Sequence, residues 1–192
     1  EILAATPLII AETASVFDEM LTFEKILKDE KNQSQRIYLL ASKIEDMINT
    51  VIRQISFYDF EYRVHEKRKN GELTTESISK IWMDVSKESL GDAFIYDNRY
   101  ESFWSYVPHF IHSPFYVYAY AFGDGLVNAL YSTYRSGMTD FEKKYLNLLS
   151  AGGSKSHEEL LNPFKLDLSK KAFWSKGIQV LKNLVNELEG LE

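Results

Sequence analysis

The chain has 192 residues, 45% hydrophobic and 26% charged, and a formal net charge of −6. That composition is long enough and apolar enough for one globular unit with a sizeable core. The acidic balance argues against a nucleic-acid partner, which needs a basic face, and the absence of Cys excludes a disulfide framework or thiolate metal site and is compatible with a cytoplasmic location. No charge-free apolar run reaches the ~18 residues of a membrane span, so no membrane partner is expected.

The first element begins at Thr6, which can cap a helix whose first turn suits Pro7. The pattern continues through Leu21 to Lys28 and is apolar on nearly all sides, so a buried helix is expected. Two acids interrupt it, Glu12 and Glu19, separated by two helical turns and therefore on one face. A buried carboxylate is costly unless it is paired, hydrogen-bonded or bound to a metal. Pairing with Lys, Arg or backbone groups is the commoner solution.

Lys28 to Asn32 reads as a polar turn, and Ser34 can cap the second helix. Ile37, Leu40, Ile44, Met47, Val51 and Ile55 then recur at helical spacing without Gly or Pro. They predict one long helix over 36–69, with a bend near Ser56-Phe57 and a stop at Asn70-Gly71. The basic run Arg63 to Lys69 complements the dipole of that helix end. Thr74 or Thr75 caps a further helix that Gly91 stops.

Residues 97–104 read as a loop with a short helical turn. Pro108 and Pro114 bracket a stretch that is irregular or only briefly helical. Pro114 suits the first turn of a strong helix over 115–135, which Ser136-Gly137 ends. Thr139 caps a helix over 140–150, Ser156 caps a short one over 157–161, and Leu168-Ser169 opens a last amphipathic helix. No segment alternates with period two, so the chain is expected to be an all-α fold, a single all-helical unit over 1–192.

Three ordered blocks carry a family resemblance. Ala11-Glu12-Thr13-Ala14-Ser15-Val16-Phe17 with Glu19-Met20-Leu21 is the first. Pro108-His109-Phe110, followed by Pro114-Phe115-Tyr116-Val117-Tyr118-Ala119-Tyr120, is the second. Leu148-Leu149-Ser150-Ala151-Gly152-Gly153 with Pro163-Phe164 and Phe173-Trp174 is the third. Together they resemble the C-terminal part of the oligoendopeptidase F branch of the thimet oligopeptidase-like zinc peptidases. The resemblance implies a hydrolase that uses zinc to cut internal bonds of short peptide substrates. It implies Glu12 as the third zinc ligand and Glu19 as a group that supports it. It also implies an oxyanion- and substrate-binding segment, with His109, Tyr116 and Tyr118 in catalytic roles and His112 and Tyr120 contacting substrate.

One departure is large. The family's His-Glu-x-x-His helix, which lies a couple of dozen residues before the first block, is absent. The four histidines are His65, His109, His112 and His157, and none has a second His at i+4. The chain also starts at Glu1, so it reads as a C-terminal fragment of a longer peptidase, whose missing N-terminal part holds the other two zinc ligands and the general base. Alone, the fragment is expected to be inactive and to coordinate zinc poorly, because a catalytic zinc needs three protein ligands and an open position. The rival reading is a non-catalytic helical module whose aromatic groove binds a peptide or a partner. The tyrosines at 116, 118 and 120 then serve helix packing.

Overall fold

A computed structural model describes residues 13–191. Among them every regular element is helical, as the periodicity predicts. The chain divides into two compact units, one of residues 1–47 with 122–192 and the other of residues 48–121.

The first unit holds α1 (Thr13–Asp29), α2 (Gln33–Met47), the length of α6 (Tyr118–Arg135) from Phe122 onward, α7 (Phe141–Ala151), α8 (His157–Leu161) and α9 (Lys171–Glu189). The expected helix start at Thr6-Pro7 lies outside the described residues. α1 is not buried all round. Thr13, Phe17, Met20 and Leu27 form its buried stripe, and Glu19 lies off that stripe in solvent. Leu40, Ile44, Leu126, Leu130, Phe164 and Phe173 complete the centre of the core. α6 and α9 approach closely where glycines face each other. A Cβ on Gly177 would stand 3.2 Å from the Gly125 carbonyl oxygen. Arg36 donates to the Leu27 carbonyl at the end of α1 (2.5 Å) and to Glu187 of α9 (2.7 Å).

The local chemistry of the helix starts is as expected at α8 and differs at α2, α7 and α9. Ser156 and Glu159 form a reciprocal capping box at the start of α8. Asn32, not Ser34, caps α2, its side-chain oxygen accepting from the Gln35 amide at 3.1 Å. α7 is preceded by Asp140 in a left-handed conformation with no side-chain cap, so Thr139 does not serve there. α9 begins at Lys171, rather than opening at Leu168-Ser169. Ser169 instead hydrogen-bonds Asp167.

The second unit holds α3 (Gln54–Arg68), α4 (Thr75–Leu90), several 3₁₀ turns and α5 (His109–His112). The helix expected over 36–69 does not run unbroken. Ile48–Arg53 is a π-helical turn, earlier than the bend expected at Ser56-Phe57. Thr50, Val51 and Ile52 are consecutive β-branched residues, the weakest stretch for a regular helix in this segment. α4 is capped by Thr74, whose hydroxyl accepts from the Ser77 amide, and ends at Gly91 with φ +60°. Phe57, Phe60, Ile81, Trp82, Val107 and Val117 make the core. Arg63 of α3 bridges Asp59 and Glu88, joining α3 to α4.

Candidate functional site

The helix predicted from Pro114 begins later, at Tyr118, because Phe115 takes a left-handed conformation with φ +61°. For a bulky L-residue that conformation costs about 1–2 kcal/mol, so the surroundings must hold it. Three groups of α3 do so. Glu61 Oε1 accepts from the Phe115 amide at 2.9 Å, and the Phe115 ring lies against His65 (4.9 Å) and Tyr58 (5.7 Å). The turn then feeds α6 through the Tyr116 carbonyl, which accepts from the Ala119 amide at 3.0 Å.

This turn sets the tyrosines at different places. Tyr116, ahead of the helix, stacks on His109 with ring centres 5.6 Å apart and planes at 19°. Tyr120 packs edge-on against Tyr116 at 5.4 Å, and its hydroxyl shares a hydrogen bond of 3.2 Å with His109 Nε2. His109, Tyr116 and Tyr120 are therefore one half-buried cluster. Tyr118 is not in it. Its ring packs edge-on at 6.3 Å from Tyr58 and is 43% exposed, which leaves it open to a ligand. His112 is exposed at the end of α5.

Glu61 escaped the sequence reading. It is 2% exposed, its second oxygen is buried without a hydrogen-bond partner among the described residues, and burial pushes its carboxyl above the usual range. The Phe115 amide and the nearby His65 and His109 oppose that rise. The signal was in the sequence, since Phe57, Phe60, Glu61 and Val64 follow helical i, i+3, i+4, i+7 spacing and one of the four is an acid.

In the first unit, Glu19 pairs with Lys43 at 2.5 Å, the lysine side chain being 11% exposed and the glutamate 60%. Asp124 shares the field of that pair. Burial pushes its carboxyl up to about 6, against the pull of Lys43 and of Asn128, whose amide donates to Asp124 Oδ2 at 2.7 Å. Glu12 lies outside the described residues. Among the described residues no three His, Asp or Glu side chains converge where they could hold a metal ion, so these residues alone do not fit a zinc site. No described helix is long and apolar enough to cross a membrane.

Comparison with known proteins gives a consistent family. Residues 3–180 match the model of peptidase family M3. The chain is 33% identical over 180 residues to an oligoendopeptidase F homolog of Borreliella burgdorferi, covering 93% of this chain and 30% of that protein. It is 31% identical over 183 residues to the oligopeptidase PepF of Bacillus subtilis, covering 95% of this chain and 27% of that protein. The crystal structure of oligoendopeptidase-F from Enterococcus faecium superposes with a TM-score of 0.87 at 27% identity, covering 98% of this chain and 36% of that one. The chain thus spans less than a third of the length of the two sequence relatives.

Proposed function

Since this chain belongs to peptidase family M3, we propose that it is the C-terminal part of a zinc-dependent oligoendopeptidase that hydrolyses internal bonds of short peptides. The observation that supports this most is the cluster of His109, Tyr116 and Tyr120 beside the open Tyr118, in a chain similar to oligoendopeptidases along 93–95% of its length. Zinc would be held by Glu12 together with two histidines from the rest of the intact protein, because His-Glu-x-x-His does not occur in this sequence. When bound, such a metal activates water toward a peptide carbonyl.

The residues of this chain have the complementary task. Attack on a peptide carbonyl turns its oxygen into an oxyanion, which positioned donors stabilise. The Tyr118 hydroxyl and the His109 imidazole are such donors. Tyr116 and Tyr120 hold the imidazole from its face and its edge. His112 and Tyr120 contact the peptide. Glu19, paired with Lys43, supports the ligand Glu12.

Metal analysis of the full-length protein tests the ligand assignment. Glu12→Ala should lose its zinc, and Glu19→Gln should bind zinc about 10–100-fold more weakly. Full zinc occupancy in Glu12→Ala would refute the assignment. The 192-residue chain alone should show no stoichiometric tight zinc in equilibrium dialysis and no turnover.

A further inference from the structure

Glu61 has a location that packing does not explain. A carboxylate removed from water, with no hydrogen-bond partner for one of its oxygens among the described residues, is an expensive core residue, and an apolar side chain would fill the same space at lower cost. What the acid supplies and an apolar residue cannot is an acceptor for the Phe115 amide, 54 residues further along the chain. That amide sits in the one bulky left-handed residue of the unit, directly before Tyr116. Without the left-handed step the chain would leave Pro114 in another direction, and Tyr116 would lose its present placement against His109. The Glu61 side chain therefore acts on the tyrosines through the backbone, at the Phe115 amide.

We propose that Glu61 is a positioning residue of the peptide-binding segment: its hydrogen bond to the Phe115 amide holds the left-handed turn that presents Tyr116 to His109 and Tyr118 to the substrate. This role rests on the proposed oxyanion- and substrate-binding function of that segment. Two properties of the side chain are separable. Glu61→Gln keeps the reach and an acceptor oxygen but removes the charge. Glu61→Asp keeps the charge and withdraws the acceptor by one methylene. Glu61→Ala removes both.

The experiment is done on the full-length, zinc-loaded protein with two readouts, amide hydrogen exchange of a peptide covering residues 113–120 and steady-state hydrolysis of a short peptide. In Glu61→Ala and Glu61→Asp the segment should exchange about tenfold faster or more, as loss of a hydrogen bond to a charged acceptor implies. Their kcat should fall about 100-fold, the usual consequence of a misplaced donor, with zinc content unchanged. Glu61→Gln should keep both the protection and most of the turnover. Should Glu61→Ala not fold, the comparison of Asp with Gln still decides. Unaltered exchange in the Asp and Ala variants overturns the hold on the turn. Faster exchange with wild-type kcat overturns the positioning role. Full activity in Glu61→Asp with a defect in Glu61→Gln shows that charge, not reach, matters, and also overturns it. Wild-type turnover in both Tyr116→Phe and Tyr118→Phe is a different failure, that of the function proposed for the segment itself.

Discussion

Tyr118 and Tyr120 sit two positions apart and meet different surroundings, and their removal should have different effects. Phe is the informative replacement because it deletes only the hydroxyl. Tyr118 presents its phenol to solvent, so Tyr118→Phe in the full-length enzyme should lower kcat by about 100–1000-fold, the cost of an oxyanion donor. Tyr120→Phe removes one bond to His109 while the Tyr116 stack still holds the ring, so its loss in kcat should stay below about tenfold. Steady-state kinetics of the two variants checks the order, and a larger defect in Tyr120→Phe would reverse the roles. Asp124 makes a prediction for stability. Its folded carboxyl, raised by burial to about 6, holds a proton that the unfolded group releases near 3.8. The folded state therefore binds more protons between those values, and stability should fall as pH rises from about 4 to 6, by up to roughly 3 kcal/mol. Asp124→Asn, measured by denaturant unfolding of this chain, should flatten that slope and be more stable than wild type at neutral pH. An unchanged slope would show that Asp124 is not its source. Both Asp124 and Glu61 are acids within apolar helical runs, the signal that singled out Glu12 and Glu19. Periodicity marks such a residue, but what it meets comes from another part of the chain.

Helix ends were legible where the cap is a neighbour in sequence. Thr74 with Ser77, Ser156 with Glu159, and the left-handed glycines at 91 and 137 each act within a few residues of the end they define. Locality alone did not suffice, since Asn32 rather than Ser34 caps α2, and the start of α6 depends on contacts the sequence does not display. α6 begins at Tyr118 rather than beside Pro114 because Glu61 and the rings of His65 and Tyr58, all on α3, hold Phe115. The π turn at Ile48–Arg53 likewise keeps the apolar spacing of a continuous helix in sequence, and the periodic pattern runs straight through it. Packing of α6 on α9 gives an element-scale test. Gly177→Ala gains about 1 kcal/mol of helix propensity. Its Cβ, however, would press on backbone atoms of Gly125 at 3.2 and 3.4 Å, and overpacking of this kind costs about 1–3 kcal/mol. Backbone cannot yield as a side-chain tip can, so the net effect should be a lower thermal midpoint. A stabilised Gly177→Ala chain would mean the two helices separate easily.

At the scale of the molecule, the all-α architecture and the family were both readable from the chain, through helical periodicity and three ordered blocks of residues. The division into two compact units was not, since it falls between Met47 and Ile48 and again inside α6, and at both places the chain runs on as helix with no loop to mark it. In the proposed function catalysis draws on residues beyond this chain, which spans less than a third of its sequence relatives' length and carries no His-Glu-x-x-His. The central claim is that the intact protein cuts internal bonds of short peptides with zinc. Mass spectrometry of the products formed from a short peptide by the full-length protein tests that claim most directly. The expected products are fragments from internal cleavage, lost on chelation and restored with added zinc. Release of single terminal residues, or cleavage that survives chelation, would contradict it.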